Sequence, residues 1–318
     1  MIGKIKQYKR FIPEFIWEYF RLKAILKSHK RVAKYWDEVI DDYDKGLIEK
    51  YEIKPKIVIP NSEKIIWQYW GQGTSSEVVP EFIQLCFDSV DRFCGEYQVI
   101  RICDETLSEY IDIPDFILDK YHNGVMGAAH FADYIRIALL SAYGGVWLDA
   151  TMLLTATLTG QYDMQDWFMY QRDDKQKDKK LWSRTYAYYF GWHKEFCVRF
   201  LNSVIFAQKG ARVMNDWANL LIYYWKTQDS IIDYFFFQIM VNQYLQKYPE
   251  RNCHIVSDCL PNMLQCYITG SYAKYTVKEI LGKCSIHKLS YKTMTVEQLK
   301  LLNLDCNINY DIHNSPRI

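Results

Sequence analysis

One aspartate ends a short apolar run in "YGGVWLDAT", residues 143–151. Gly144 and Gly145 permit a tight turn with positive φ, and "VWLD" is long enough to cross a sheet before it presents Asp149 at its end. A buried strand normally avoids a carboxylate, so we expect this one to deliver Asp149 to a cleft where its charge is paired or solvated. The alternative is an aspartate that only caps a turn or a helix.

A second polar group lies in the segment just before it, "GAAHFADYIRIALLSAY". Helical spacing puts His130, Asp133 and Arg136 on one flank, at i, i+3 and i+6, beside an apolar stripe. This spacing is compatible with a binding surface for a polar ligand. The alternative, which spacing alone favours, is a simple Asp/Arg ion pair next to an unimportant histidine.

Two later stretches also combine polar and apolar residues. "CSIHKLSYK" alternates and predicts a strand that carries His287, Lys288 and Lys292, with an ordinary basic surface strand as the alternative. In "IIDYFFFQ", Asp233 stands among aromatic residues, so it either caps the helix that follows or binds a sugar hydroxyl. Tyr186 is one of several aromatic residues that would suit stacking on a sugar ring.

The elements that must position these residues alternate between strand and helix from about residue 60 onward, which predicts an α/β sheet with crossover helices. Strands are predicted at "IIWQYW", "YQVIRIC", "VWLD", "DWFMYQ" and "TYAYYFGW". Helices are predicted at Val78–Phe93, "IPDFILDKY", Ala128–Tyr143, "KEFCVRFLNSVIFA", "VMNDWANLLIYYW" and "IIDYFFFQIMVNQYL". The charged run "RDDKQKDKK" between two of the strands is interpreted as a mobile loop.

Composition narrows the class of protein. The chain has 318 residues, 49% of them hydrophobic, and a net charge of only +1, which argues against binding to nucleic acid over the whole surface. Its nine cysteines are odd in number and form no CxxC pair, so a zinc ribbon or a complete disulfide framework is not indicated, and a reducing cytosol fits best.

The first 60 residues read as a basic helical region with a boundary near residue 60. Residues 1–35 contain ten Lys or Arg against Glu14 and Glu18, with apolar residues at helical spacing. We expect this amphipathic helix to pack on the rest of the protein, to contact an anionic membrane surface, or to do both with different faces. No apolar run is long enough to span a membrane.

The stretch "AHFADYIRIALLSAYGGVWLDAT" resembles the signature of the capsular polysaccharide synthesis branch of the DxD-sugar glycosyltransferases. The resemblance extends over about residues 60–295, including "KIIWQYWGQG" and "SIHKLSYK", and within the branch it is greatest to the pneumococcal WciN-type transferases. It implies an α/β, GT-A-like fold that binds a nucleotide sugar on a Rossmann-like mixed sheet flanked by helices. Residues 61–318 would form this catalytic domain, with a C-terminal helical part on the acceptor side, and residues 1–60 a helical appendage.

The same resemblance implies roles for individual residues. Asp149 matches the first aspartate of DxD, and Ala150 and Thr151 match the other two positions, so the second carboxylate is missing. His287 would join Asp149 in holding Mn²⁺ or Mg²⁺. The remaining residues implied in donor binding are Trp67, Gln68 and Tyr69 at the nucleotide base, His130, Asp133 and Arg136 at the nucleotide, and Lys288 and Lys292 at the phosphates, with Asp233 at a sugar hydroxyl.

We therefore expect a retaining hexosyltransferase that moves a hexose, with galactose favoured over glucose, from its UDP derivative. The expected acceptor is undecaprenyl-diphosphate-linked glucose or a related glycolipid at the cytoplasmic face of the plasma membrane, and no nucleic acid is expected as a partner. Two other functions compete with this one. A glycoside hydrolase would use Asp149 and Asp233 as acid and base, and a non-catalytic protein would only bind nucleotide sugar or glycan.

Overall fold

The computed structural model describes residues 13–60, 64–160, 165–300 and 302. The strands are β1 (Ile65–Tyr69), β2 (Gln98–Ile102), β3 (Gly145–Leu148), β4 (Met152–Leu154), β5 (Trp167–Phe168), β6 (Val204–Ala207) and β7 (Ile286–Lys288). The helices are α1 (Glu14–Asp44), α2 (Glu81–Phe93), α3 (Asp115–His122), α4 (Ala128–Tyr143), α5 (Lys179–Thr185), α6 (Arg212–Thr227), α7 (Phe236–Lys247), α8 (Cys259–Ile268), α9 (Val277–Leu281) and α10 (Val296–Lys300).

Five of these strands form one mixed sheet in the order β2-β1-β3-β6-β5. β1 pairs in parallel with β2 and β3, whereas β6 runs antiparallel to β3 and β5. The carboxyl ends of β1, β2 and β3 therefore meet at one edge of the sheet. A separate antiparallel pair joins β4, which follows β3 closely in the chain, to the distant β7, so that residues 286–288 lie next to residues 152–154.

The turn from α4 into β3 needs glycine. Gly144 has a φ of 75° and Gly145 a φ of 96°, in a region of backbone conformation that residues other than glycine avoid. A Cβ on Gly144 would lie 2.5 Å from the backbone nitrogen of Lys209. This turn lets the buried helix α4 lead directly into the central strand, as the sequence predicts, so that Asp149 follows β3 immediately.

Helix α1 has two parts with different surroundings. Val32, Trp36 and Ile40 are buried in the same core as the sheet helices, and the indole of Trp36 donates to the carbonyl of Phe236 at 2.9 Å. Phe15 and Tyr19, nearer the start of the helix, are 71% and 61% exposed. Packing and an exposed aromatic surface thus coexist in one helix. Lys4, Lys6, Lys9 and Arg10 of the predicted basic region lie outside the described residues.

The predicted secondary structure is wrong between α5 and β6. "TYAYYFGW" is not a strand, since it follows α5 as turns and irregular backbone, and "KEFCVRFLNSVIFA" is not a helix, since its last four residues form β6. The charged run 172–180 also contains a residue of the core, because Arg172 is only 2% exposed. None of the described helices is both long and apolar enough to cross a membrane.

Candidate active site

Asp149 lies at the carboxyl end of β3 and accepts hydrogen bonds on both carboxylate oxygens. Its Oδ1 accepts from Arg136 at 3.1 Å and from the indole of Trp147 at 2.8 Å, and its Oδ2 faces the ammonium of Lys288 at 3.2 Å. The side chain retains 22% exposure. Asp149 is therefore held between two cations and is still partly exposed.

Arg136 joins Asp149 to a second carboxylate. Its guanidinium donates to Asp133 Oδ1 at 2.7 Å, and the amide of Asn202 donates to the same oxygen at 2.7 Å. The i, i+3 ion pair predicted on α4 is thus confirmed, but it does not stand alone, because Arg136 is shared between two carboxylates. The Arg136 guanidinium also lies 5.3 Å from the centre of the Trp147 ring.

Lys288 comes to the site from the far end of the chain. Antiparallel pairing of β4 with β7 puts it opposite Met152, and its ammonium reaches both Asp149 and the Thr151 hydroxyl, the latter at 2.5 Å. Asp133, Arg136, Asp149 and Lys288 then form a row of alternating charges with no net charge.

The pKa values in this row move in opposite directions. Burial raises the pKa of Asp133 to about 6, and the nearby Asp149 adds to the rise while Arg136 opposes it. Burial alone would also raise the pKa of Asp149, but Arg136 and Lys288 outweigh burial and hold that pKa below its usual value. Asp149 thus stays ionised near neutral pH, which suits a residue that binds a cation and does not suit a general acid.

The structure does not bring His287 to Asp149. His287 has no exposed surface, its Nε2 lies 3.0 Å from the Thr155 hydroxyl, and burial lowers its pKa to about 3. Successive residues of a strand point to opposite faces, so Lys288 faces Asp149 and His287 faces the interior. The histidine predicted to bind metal is therefore a neutral core residue in this structure.

A divalent cation would still find two oxygens at this point. Asp149 Oδ2 and Thr151 Oγ1 converge on one position, which the Lys288 ammonium takes here as a stand-in cation. Within the described part of the chain, no three His, Cys, Asp or Glu side chains cluster around a common metal position. The protein thus supplies a partial ligand set that suits a cation arriving with phosphate oxygens of its own.

The residues predicted at the nucleotide base lie inside the sheet. Trp67 is fully buried and donates to the carbonyl of Gly144 at 3.0 Å, and Gln68, also fully buried, accepts from Arg101 at 3.1 Å. Neither side chain is exposed, so Trp67 and Gln68 are core residues in this structure. Tyr69 is 8% exposed, and its hydroxyl donates to Asp104.

Asp104 marks a groove that the sequence did not predict. It follows β2, accepts a second hydrogen bond from Tyr121 at 3.0 Å, and opens on a groove of about 280 Å³ that Tyr121 and Phe131 also line. β1 lies between β2 and β3 in the sheet, so the carboxyl end of β2, before Asp104, is roughly 10 Å from the carboxyl end of β3, before Asp149.

The other predicted residues have varied surroundings. His130 is 6% exposed, its Nε2 lies 3.3 Å from the carbonyl of Tyr234, and burial lowers its pKa. Ala150 is 7% exposed in the turn after Asp149, and Lys292 is exposed in the turn after β7. Asp233 accepts from the Ser28 hydroxyl at 2.6 Å and from the backbone NH of Phe235 at 2.9 Å, so it forms a turn ahead of α7 and ties that turn to α1.

Sequence reasoning missed two neighbours of the carboxylates. Trp147 stands two residues before Asp149 on a strand, so strand alternation alone would have placed both on one face. Asn202 could not have been found this way, because it lies in the segment that was interpreted as a helix.

Comparison with known proteins identifies the family. The sequence model of a family described as "Capsular polysaccharide synthesis protein" matches residues 16–303. The chain is 23% identical over 179 residues to the O-glycosyltransferase PaGT of Phomopsis amygdali, a match that covers 54% of this chain and 41% of the relative. It is 33% identical over 102 residues to the probable glycosyltransferase FCK3 of Fusarium pseudograminearum, covering 29% and 25% of the two chains.

A third relative and one solved structure are also similar. Glycosyltransferase afumC of Aspergillus fumigatus is 30% identical over 112 residues, covering 32% of this chain and 28% of the relative. The matches thus span well under half the length of these fungal relatives. The solved structure titled "PaToxG Glycosyltransferase" aligns over 92% of this chain and 97% of its own at 13% identity, with a TM-score of 0.36. The family model matches most of the length of the present chain, and the chain therefore belongs to the capsular polysaccharide synthesis protein family.

Proposed function

We propose that this chain is a retaining glycosyltransferase of GT-A type, which moves a hexose, with galactose favoured, from UDP-hexose to a polyprenyl-diphosphate-linked sugar. The observation that carries the proposal is the convergence of Arg136 and Lys288 on Asp149, at the edge of the sheet where ligands of α/β proteins bind. The family match and the glycosyltransferases among the relatives support the same class of reaction.

The charges at this point suit a nucleotide diphosphate. The donor brings two negative phosphates, and its diphosphate becomes more negative when the sugar bond breaks. Arg136 and Lys288 are the two cationic side chains that contact Asp149, one at each carboxylate oxygen. They can stabilise the departing diphosphate without any rearrangement of the core, which is how preorganised charges lower a barrier. Asp149 positions Arg136 and is available to the ribose of the donor.

Proton transfer in this scheme needs no protein base. The acceptor oxygen forms a bond to the anomeric carbon, the bond from that carbon to the diphosphate oxygen breaks, and the acceptor proton passes to that diphosphate oxygen on the same face of the sugar. Asp149 is a poor base because its pKa is lowered, and its role is electrostatic. The nucleoside end of the donor would extend toward Asp104 and its groove along the same edge of the sheet.

Mn²⁺ or Mg²⁺ would be held by Asp149 and Thr151 together with the donor phosphates, and it would supply Lewis-acid stabilisation of the leaving group. Lys288 would then move from these oxygens toward a phosphate.

The surface of α1 suits a lipid-borne acceptor. Its exposed aromatic residues stand next to exposed Lys23, Lys27 and Lys30, and this combination favours an anionic membrane surface. These features support our proposal that the protein acts at the inner face of the plasma membrane.

The test is nucleotide release from a panel of UDP-sugars with Mn²⁺, in the presence and absence of alkyl glucosides as acceptors. We expect UDP release from one UDP-hexose and a new glycoside that retains the anomeric configuration of the donor. Asp149→Asn should abolish both. Binding of UDP-hexose with no turnover under any of these conditions would refute the catalytic proposal and favour a nucleotide-sugar-binding protein.

A further inference from the structure

Two exposed tyrosines flank one aromatic ring next to the candidate active site. Tyr234 is 59% exposed and Tyr186 is 48% exposed, a large fraction for such side chains. Both pack against Phe235, with ring centres 5.0 Å away for Tyr234 and 6.2 Å away for Tyr186. Phe235 itself is 8% exposed, so a largely buried ring supports two exposed ones.

A chain of contacts leads from this pair to the reacting end of the site. The Tyr234 ring packs edge-on against His130 at 5.4 Å, and His130 lies one turn before Asp133 on α4. Asp133 binds Arg136, which binds Asp149. Lys288 reaches Asp149 from β7.

Helix α1 anchors both tyrosine segments. Ser28 donates to Asp233 at 2.6 Å and Arg31 donates to the carbonyl of Ile232 at 2.8 Å, directly before Tyr234. Ten residues earlier in α1, Glu18 accepts from Arg184 at 3.3 Å, two residues before Tyr186. The helix with the exposed basic and aromatic surface thus contacts a residue two positions before each tyrosine.

We infer that Tyr234 and Tyr186 form the acceptor subsite, an aromatic platform on which the terminal pyranose ring of the acceptor lies while its hydroxyl faces the donor sugar. The inference rests on the proposed function. Aromatic rings bind the apolar C–H face of a sugar and leave its hydroxyls free. The cations at Asp149 account for the diphosphate and not for the acceptor, and Tyr234 packs on His130, one turn from Asp133.

The position on α1 favours the acceptor over the donor sugar. An acceptor that is attached to a membrane lipid must approach from the surface that α1 presents, and the tyrosines are the exposed aromatic residues bound to that helix through neighbouring residues. Because Asp233 directs both of its oxygens to Ser28 and to the NH of Phe235, it holds the turn that carries Tyr234. It is accordingly a positioning residue rather than a ligand of the sugar.

The experiment compares Tyr234→Ala, Tyr186→Ala and Tyr234→Phe in the full chain, with octyl glucoside as a water-soluble acceptor probe and the UDP-hexose that the wild type uses. We expect each alanine variant to raise the KM for octyl glucoside about tenfold, the loss of one aromatic contact. Hydrolysis of the donor in the absence of acceptor should stay within about twofold of wild type. Tyr234→Phe keeps the ring and should keep the acceptor KM.

Controls separate the subsite from unfolding and from the proposed function. Ile255→Ala removes another exposed apolar side chain, 54% exposed, and should leave both activities unchanged. Unaltered melting temperatures show that the variants are folded. An active wild type whose acceptor KM is unchanged in both alanine variants overturns the subsite alone, as does a loss of donor hydrolysis equal to the loss of transfer. A wild type that releases no nucleotide from any donor overturns the proposed function, and the subsite with it.

Discussion

Two cations bind Asp149, and replacing Lys288 should lower the free energy of unfolding much less than replacing Arg136. Lys288→Met removes a charge 3.2 Å from Asp149 Oδ2, a gross attraction of about 5 kcal/mol at an effective dielectric constant of 20. Desolvation of the two groups offsets most of this, and Asp149 keeps Arg136 as a partner. We expect the free energy of unfolding to fall by only about 1–2 kcal/mol.

Arg136→Met is expected to be far more damaging. It removes the one guanidinium shared by Asp133 and Asp149, and the side chains of Arg136 and Asp133 are only 5% and 7% exposed. Asp133 would keep Asn202 but lose its cation, so the free energy of unfolding should fall by about 3–5 kcal/mol.

Activity should show that Lys288 nevertheless serves the reaction. Loss of a preorganised charge next to a developing anion typically lowers kcat by about 10²–10³-fold, and we expect this for UDP release by Lys288→Met, with partial recovery in Lys288→Arg. Urea unfolding at pH 7.5 and UDP release on the same preparations provide both measurements. Turnover by Lys288→Met within threefold of wild type, or an Arg136→Met variant as stable as wild type, would refute this division of roles.

Three further outcomes are expected. Because burial raises the pKa of Asp133 from 3.8 to about 6, the folded chain binds this proton more tightly than the unfolded chain. The stability from this group should therefore fall by about 2 kcal/mol as pH rises from 4 to 6, and urea titrations should show that Asp133→Asn lacks this fall. Reversing the charge of Lys23, Lys27 and Lys30 together should release the protein from phosphatidylglycerol vesicles in a sedimentation assay, because each lysine near an anionic membrane surface contributes about 1 kcal/mol of binding free energy. Reversing the charge of Lys54 should not release it. Excess EDTA should lower UDP release and added Mn²⁺ should restore it; UDP release that does not change with EDTA would exclude the metal. Mn²⁺ without nucleotide should leave the melting temperature unchanged, because the Lys288 ammonium already occupies the oxygens of Asp149 and Thr151.

Local pattern predicted the first half of the sheet well. The alternation of β1, α2, β2, α3, α4 and β3 follows from apolar periods that are interrupted by proline and glycine, and helix α4 begins and ends where the sequence predicts. Asp149 could be predicted as a site residue because a carboxylate at the end of an apolar strand conflicts with burial. Arg136 could be predicted next to Asp133 because helical spacing fixes their distance.

What could not be predicted depends on pairing between distant segments. Lys288 and His287 are adjacent, and the sequence does not say which of them faces Asp149; the register of β7 on β4 decides it, and a shift by one residue would exchange them. Asn202 reaches Asp133 only because the backbone before β6 is irregular. The case of Trp67 is different. Its strand, β1, was predicted, but the burial of all five residues of that strand, on both faces of the sheet, was not.

The segment that was mistaken for a strand shows why such errors arise. A strand satisfies its carbonyls with a neighbouring strand, but the carbonyls of Tyr189 and Gly191 accept from the Arg172 guanidinium, at 2.8 and 2.9 Å. Arg172 is paired with Asp258, both side chains are fully buried, and the ring of Trp192 lies 4.8 Å away. The Arg172 side chain thus makes the hydrogen bonds to these carbonyls that a neighbouring strand would otherwise make.

This buried pair also explains how an irregular backbone keeps its shape at Tyr189 and Gly191. Removing Arg172 would leave Asp258 as an uncompensated charge in the core, at a cost of about 3–5 kcal/mol, and would free the two carbonyls at the same time. The segment therefore cannot relax toward a regular strand without losing the pair. Its shape is determined by a charged residue that the composition of the run 172–180 assigns to the surface, and that is why neither periodicity nor charge could have predicted it.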